Sequence, residues 1–105
     1  MVFADNLEEL KNVLQFSPTF VSYEPAEFVG STTVSVSQAK PEVIKEAAEI
    51  ATQAGIPLIV GAGVHSASDV RIGKQLGAVG IAIATNIVKS EDPKRALLDL
   101  IEGFN

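Results

Sequence analysis

Three short segments of this 105-residue sequence combine residue types that could do chemistry. Glu24 ends an apolar run and precedes Pro25, which holds the residue before it in extended backbone. A carboxylate fixed in this way at a strand end suits a general base. Residues 61–63 (Gly-Ala-Gly) and 84–86 (Ala-Thr-Asn) form turns of small and polar residues, and the first turn precedes a helical pattern. Because glycine lets backbone amides approach a ligand and a helix amino end favours negative charge, these turns predict an anion site.

The segment that follows Glu24 has the features of a lid. Residues 25–37 form a connection of 13 residues, whereas such connections usually have about 4–6. The segment starts at the rigid Pro25, has an apolar centre at Phe28 and Val29, and continues through small residues at 30–32. These are the features that a hinged loop over a binding site requires.

Other candidate residues favour ordinary structural roles. His65 lies beside the glycine turn, but no carboxylate adjoins it in the sequence to orient its ring, so we interpret it as a surface loop residue. Glu27 is interpreted as a solvated loop charge. Residues 61–63 do not meet a dinucleotide fingerprint, since the third glycine is absent and the next strand does not end in an acidic residue.

Four apolar runs, each followed by an amphipathic helical pattern, must position these segments. The runs cover residues 2–4, 19–23, 58–60 and 79–84. Repeated strand–helix units with nearly continuous apolar strands are typical of a parallel sheet covered by helices. Functional residues of such folds gather at the carboxyl ends of the strands, which is where the three segments lie.

The size of the repeat indicates the architecture. Dividing 105 residues among four units gives about 26 per unit, near the ~31 of each unit in an eight-unit barrel. We therefore predict an α/β fold in which residues 1–105 form a single (βα)4 module, half of a TIM (βα)8 barrel. An open flavodoxin-like parallel sheet is the alternative, because the pattern alone does not separate the two.

The composition excludes several classes of function. The absence of cysteine removes disulfide scaffolds and thiolate sites, and a single histidine argues against a polyhistidine metal centre. A formal charge of −5 without a Lys/Arg cluster opposes binding to nucleic acid. No apolar run approaches the ~20 residues that cross a bilayer, so we expect no membrane partner. We expect a cytoplasmic protein with no metal and no cofactor.

Five motifs occur in order along nearly the whole chain. They are Tyr-Glu-Pro-Ala-Glu-Phe-Val-Gly at 23–30, Val-Ser-Gln-Ala-Lys-Pro-Glu at 36–42, Val-Gly-Ala-Gly-Val at 60–64, Ala-Ile-Ala-Thr at 82–85 and Asp-Pro at 92–93. Together they resemble the carboxyl-terminal half of an archaeal-type triosephosphate isomerase. The resemblance covers the last four of that family's eight βα units.

The resemblance implies a role for each segment. Glu24 would be the base that transfers the proton between dihydroxyacetone phosphate and glyceraldehyde 3-phosphate, and residues 25–32 would be the closing lid. The family's electrophilic histidine and its lysine on the first strand belong to the other half of the barrel, and His65 does not replace them. The substrate phosphate would meet the backbones of Val29, Gly30, Gly63, Ala84 and Thr85.

Three positions depart from the family pattern. Ala26 stands where a second proline is common, and Thr32 and Asn86 stand where glycine is common. These departures concern the flexibility of the lid and the last phosphate turn.

The missing groups limit what the isolated chain is expected to do. General base catalysis alone contributes ~10²–10⁴-fold, far below the ~10⁶-fold or more of an enzyme, so we expect little or no isomerase activity. The expected ligands are a triose phosphate, inorganic phosphate or sulfate. The expected protein partner is a second copy or more of this chain, or a complementary amino-terminal half-barrel. The alternatives are a non-catalytic self-associating half-barrel and half of another phosphate-binding barrel enzyme.

Overall fold

The computed structural model describes residues 1–31 and 33–105, and these form a four-stranded parallel sheet covered by helices. The strands are β1 (Val2–Ala4), β2 (Val21–Tyr23), β3 (Leu58–Val60) and β4 (Gly80–Ile81). The helices are α1 (Leu7–Leu14), α2 (Val36–Ala39), α3 (Pro41–Gln53), α4 (Ala67–Gln75), α5 (Thr85–Val88) and α6 (Pro93–Ile101), with single 3-10 turns at Ala26–Phe28 and Glu102–Phe104. None of these helices combines the length and the apolar character needed to cross a bilayer.

The strands follow one another across the sheet in the order of the chain. β1 pairs with β2, β2 with β3 and β3 with β4, all in parallel, which leaves β1 and β4 at the edges. Consecutive long helices contact each other, α1 with α3, α3 with α4 and α4 with α6, so they form one layer. A doubly wound sheet instead reverses its strand order at a switch point and carries helices on both faces. The predicted α/β class is confirmed, and the sequential order is that of half a barrel rather than of the flavodoxin-like alternative.

The core lies between the sheet and this helical layer. Side chains alternate along a strand, so every second residue of β2 and β3 points toward the helices. The core cluster includes Val21, Tyr23, Leu58 and Val60 from the strands, with Leu10, Ile44, Ala47 and Ala51 from α1 and α3.

The other face of the sheet is only partly covered. Phe3, Ser22, Ile59 and Gly80 pair across the four strands in one row. Phe3 in this row is 54% exposed, although Ser22 beside it is fully buried. An apolar ring at the edge of a sheet is therefore open to solvent on the face that a closed barrel would enclose.

Two short helices were not predicted from the sequence. They are α2, which begins inside the segment 25–37 after the 3-10 turn Ala26–Phe28, and α5. α5 follows the run 79–84, which is a strand only at Gly80–Ile81. A helix of one turn is too short to display a helical period. α2 begins because the Ser35 hydroxyl accepts a hydrogen bond from the Gln38 amide, the usual N-cap arrangement.

Candidate functional site

A cavity of about 280 Å³ opens at the carboxyl ends of the strands. All six residues predicted from the sequence as base or phosphate ligands line it, although the loops that carry them are far apart in the chain. The residues around it are Phe3, Glu24, Val29, Gly30, Ser31, Ala62, Gly63, Val64, Ala82, Ile83, Ala84 and Thr85. The fold thus brings the predicted site residues together, while their chemical roles stay predictions.

The carboxylate of Glu24 is held at the rim of this cavity by its own strand. The Glu24 amide donates to the Ala4 carbonyl at 2.9 Å, which continues the pairing of β1 with β2. The Ser22 hydroxyl, which is fully buried, donates to Glu24 Oε1 at 2.7 Å. Ser22 was not among the residues predicted from the sequence. The available signal was a polar residue inside an apolar strand, two positions before a candidate base. Residues i and i+2 of a strand point to the same face, so the two side chains could be expected to meet.

Gly61 provides the space that the Glu24 carboxylate occupies. A Cβ atom at this position would lie 2.7 Å from Glu24 Cδ and 2.7 Å from Oε1, closer than real carbon contacts. Gly61 follows β3, and its amide donates to the Tyr23 carbonyl at 3.1 Å. Because Gly61 has no side chain, the end of β3 lies directly against Glu24 at the end of β2.

The last part of the long connection 25–37 rests on the glycine turn. Gly63 has a left-handed backbone with φ of +71°, and a Cβ atom there would lie 2.2 Å from the Val34 carbonyl oxygen. The Val36 amide donates to the Ala62 carbonyl at 3.3 Å. Ala62 has a φ of 79°, a conformation that costs a non-glycine residue energy and persists only where its surroundings enforce it. Thr32, at the end of the expected lid, lies outside the described residues.

Asp69 lies beneath this contact, and its side chain is completely buried. Its Oδ1 accepts from the Ser35 hydroxyl at 2.6 Å and from the Gln38 amide group, while Oδ2 accepts from the backbone amides of His65 at 3.1 Å and Ser66 at 3.0 Å. Burial alone would raise the pKa of the Asp69 carboxyl, but the bonds from Ser35, His65 and Ser66 outweigh burial and lower the pKa below its usual value. Asp69 also forms a capping box with Ser66 at the start of α4.

The structure changes the interpretation of His65. Its ring Nδ1 lies 2.6 Å from the Gly63 carbonyl oxygen and 3.6 Å from Asp69 Oδ2, so a carboxylate four residues later does adjoin the ring. The expectation that no carboxylate adjoins His65 was wrong because Asp69, in the first turn of α4, reaches back past the N-cap Ser66 to the residues before the helix. The Asn86 side chain donates to the His65 carbonyl at 2.7 Å and joins the turn after β4 to the turn after β3.

Glu27 behaves as a solvated loop charge, as the sequence suggested. Its carboxylate forms an ion pair with Lys40 at 2.7 Å, and both side chains are about half exposed. An exposed pair of this kind contributes only ~0–1 kcal/mol to stability.

Comparison with known proteins identifies one family. The sequence matches the triosephosphate isomerase family over residues 2–104. It is 45% identical to the triosephosphate isomerase of Thermoplasma volcanium over 98 residues, which cover 93% of this chain and 46% of that protein. It is 40% identical to the triosephosphate isomerase of Metallosphaera sedula over 104 residues, covering 98% of this chain and 45% of that protein. The chain therefore spans about half the length of the curated relatives that it matches.

The fold also resembles that of a solved structure. A chain in the crystal structure of the Amycolatopsis orientalis BexX/CysO complex superposes with a TM-score of 0.67 at 25% sequence identity. The superposition covers 97% of this chain and 38% of that chain.

Proposed function

The chain belongs to the triosephosphate isomerase family, and we propose that it forms the carboxyl-terminal half of the isomerase barrel, with the base, the lid and the phosphate site. The proposal is carried by one observation. A carboxylate and three backbone segments rich in small residues converge on a single cavity at the carboxyl ends of four consecutive strands. This is the edge at which barrels of this type place their chemistry.

Glu24 is the proposed base. Its ionised carboxylate removes a proton from the hydroxyl-bearing carbon next to the substrate carbonyl and returns it to the former carbonyl carbon. The hydroxyl proton passes at the same time from the first oxygen to the former carbonyl oxygen, so the triose phosphate is isomerised without net loss of a proton. The Ser22 hydroxyl donates to Oε1, so it occupies one carboxylate oxygen and leaves Oε2 available to the substrate. A base that is positioned in this way contributes ~10²–10⁴-fold.

The phosphate is proposed to bind where the lid meets the two turns. The backbones of Gly30 and Gly63 are left-handed, and Thr85 begins the short helix after β4. All three residues line the cavity together with Val29 and Ala84. Amides of such segments can approach an anion closely because few side-chain atoms obstruct them.

The chain alone is proposed to have little or no isomerase activity. The intermediate formed when Glu24 removes a proton carries negative charge on oxygen, and its stabilisation is usually the largest part of catalysis. Among the described residues that line the cavity, there is no lysine, arginine or histidine to supply it. An amino-terminal half-barrel is proposed to bring the family's lysine and histidine.

The uncovered sheet favours a second candidate function, that of a non-catalytic self-associating module. Phe3 at one edge of the sheet and Val79 next to the other are 54% and 59% exposed. Unpaired edge strands and exposed apolar surface both promote association, and a two-fold pairing of two copies could close eight strands. A second copy and an amino-terminal half would compete for the same edges.

A complementation assay tests both functions. Triose phosphate interconversion is measured for this chain, for a matching amino-terminal half of the barrel and for their mixture, with Glu24→Gln as the control. We expect turnover only in the mixture and its loss in Glu24→Gln. Full activity of the chain alone, or an active mixture that Glu24→Gln leaves unchanged, would contradict the assignment. Light scattering of the chain alone decides whether copies associate.

A further inference from the structure

We propose that a cavity beside the candidate site is a second oxyanion site, which takes inorganic phosphate or one phosphate group of a small molecule that carries two. This cavity, called the second pocket below, is lined by Ser31, His65, Thr85, Asn86, Lys89 and Ser90. Its volume is about 370 Å³, within the ~300–1,000 Å³ that is typical of pockets for small molecules.

The second pocket adjoins the candidate site without being part of it. Ser31 and Thr85 line both cavities. Glu24, Gly30 and Gly63, which belong to the proposed base and phosphate ligands, line only the first cavity. A triose phosphate has a single phosphate group, so a molecule bound between Glu24 and Gly63 leaves the second pocket to another anion. This relation to the substrate rests on the proposed function, whereas the pocket is defined by its own lining.

The lining of the second pocket is polar and contains no acidic residue. The chain carries 13 acidic residues against 8 basic ones, yet no Asp or Glu lines this pocket. Lys89 supplies a positive charge, and its exposed ammonium forms no ion pair with a carboxylate of the described residues. Because no carboxylate competes for it, this ammonium can serve as a point charge for a phosphate group.

Two hydroxyl groups of the pocket are set up to donate hydrogen bonds. The Ser31 hydroxyl oxygen accepts from the Val34 amide at 3.1 Å. The Ser90 hydroxyl oxygen accepts from the Asp92 amide at 3.2 Å. A hydroxyl has one hydrogen as well as its lone pairs, so each serine that accepts from the backbone keeps its hydrogen for a ligand. Donors of this kind match the oxygens of an anion.

His65 and Asn86 form a wall of the pocket that is fixed by their own contacts. The His65 ring Nδ1 lies 2.6 Å from the Gly63 carbonyl oxygen, which can only accept, so Nδ1 carries a hydrogen. The ring therefore presents Nε2, which donates when the imidazole is protonated. The Asn86 side chain donates one hydrogen to the His65 carbonyl at 2.7 Å and keeps a second. The Asp69 carboxylate, 3.6 Å from Nδ1, is completely buried and does not line the pocket.

This set of groups favours a phosphate over other ligands of the same size. A cation would meet Lys89 and no carboxylate in the lining. An apolar molecule would leave the donors of the pocket without partners, which costs free energy. A phosphate group directs its oxygens to several sides, so it can accept from hydroxyl, amide and ammonium donors together. Because Ser31 and Thr85 line both cavities, a molecule with two phosphate groups can occupy both.

A titration of the chain with inorganic phosphate, followed by NMR, tests the second pocket. In wild type we expect saturable shifts at the amides of Lys89 and Ser90 and at the side-chain NH₂ group of Asn86. Lys89→Gln should weaken the affinity measured at Ser90 and Asn86 by about tenfold, since a charge-assisted hydrogen bond is lost. The affinity measured at Gly30 and Gly63 should change by less than about threefold, because solvent and salt screen the more distant charge.

Lys45→Gln is the matched control for the loss of charge. It removes the same charge from an exposed position of α3 that lines neither cavity. It should leave the affinity measured at Ser90 unchanged. Absence of saturable shifts at Ser90 and Asn86 in wild type, or equal weakening by Lys45→Gln and Lys89→Gln, would overturn the proposal.

The same titration separates this inference from the proposed function. If Ser90 shows a saturable shift while Gly30 and Gly63 show none, the proposed phosphate site fails and the second pocket stands. If Gly63 shows a saturable shift while Ser90 shows none, the second pocket fails and the proposed phosphate site stands.

Bisphosphates distinguish the two sources of the anion. The affinities of propanediol bisphosphate and hexanediol bisphosphate are compared with that of propyl phosphate, each measured at Ser90 and Gly63. Binding of either bisphosphate that is tighter by about tenfold or more, with this gain lost in Lys89→Gln, would support one molecule that bridges both cavities. Equal affinities, with inorganic phosphate still bound at Ser90, would support free phosphate as the ligand.

Discussion

Substituting Gly61 by alanine should displace the candidate base without unfolding the protein. The new Cβ atom would lie 2.7 Å from Glu24 Cδ and Oε1, whereas ordinary contacts of this kind are 3.4–4 Å. The carboxylate must therefore move by roughly 1 Å, which in an active site can cost ~10²-fold in rate. The movement also breaks the 2.7 Å bond from the Ser22 hydroxyl.

The same change should lower the stability only modestly. Loss of the bond from the fully buried Ser22 hydroxyl to the partly buried Glu24 carboxylate costs about 1–3 kcal/mol of unfolding free energy. Gly61 has no left-handed backbone, so alanine is compatible with its conformation and gains ~0.4–1 kcal/mol by restricting the unfolded chain. The net loss is therefore about 2 kcal/mol or less, and the backbone need not move because the displaced group is the end of a flexible side chain.

Two measurements on Gly61→Ala separate these effects. Urea unfolding of the chain alone should give a free energy within about 2 kcal/mol of wild type. Isomerase activity in the complemented mixture should fall about 100-fold. Gly80→Ala is the matched control, since its Cβ atom would lie 3.5 Å from Ile59 Cγ1, an ordinary contact. Unchanged activity of Gly61→Ala, together with loss of activity in Glu24→Gln, would refute the idea that Gly61 sets the position of the base.

Three further predictions concern the lid, the pH dependence and the open sheet. Gly63→Ala should destabilise the chain by about 3 kcal/mol or more in urea unfolding, because its Cβ atom would clash with the Val34 carbonyl in addition to the strain of a left-handed residue. Gly30→Ala has the same strain with no atom within 4 Å and should cost only about 1 kcal/mol; equal costs would show that the close approach is unimportant. The pKa of Asp69 is lowered in the folded state, so as the pH falls the unfolded state binds the proton first. The stability that the ionised Asp69 carboxylate contributes is therefore present above about pH 3.8 and is lost as the pH falls through the folded pKa. Urea unfolding between pH 3 and pH 7 should show this loss in wild type and not in Asp69→Asn, and parallel curves would contradict it. Phe3→Glu places a charge on the uncovered sheet face and should lower the mass measured by light scattering, and an unchanged mass would contradict association through this face.

Much of the site could be predicted from residue types and strand order. Glu24 and the segments 61–63 and 84–86 were recognisable because each follows an apolar run, and parallel strands bring their carboxyl ends to one edge. The long connection after Glu24 was recognisable from its length. These inferences need only local pattern and topology, which the chain order fixes.

The contacts that hold the site together could not be predicted in the same way. Ser22, Ser35 and Gln38 are ordinary polar residues in the sequence, and nothing local shows that the first meets Glu24 or that the other two meet Asp69. Gly61 similarly resembles any turn glycine until the neighbouring carboxylate is in place. Each contact joins side chains whose distance depends on the packing of two strands or two loops.

The sequence by itself therefore determined the parallel α/β class, the four strand–helix units and the residues at the functional edge, because periodicity and turn chemistry are local properties. The tertiary structure alone decided that the strands follow one another across the sheet in chain order. It also decided that Asp69 lies buried between the start of α2 and the glycine turn, in addition to capping α4. Burial and long-range pairing depend on how separate segments pack, and a carboxylate with two oxygens can join two such segments only after the fold has brought them within hydrogen-bond distance.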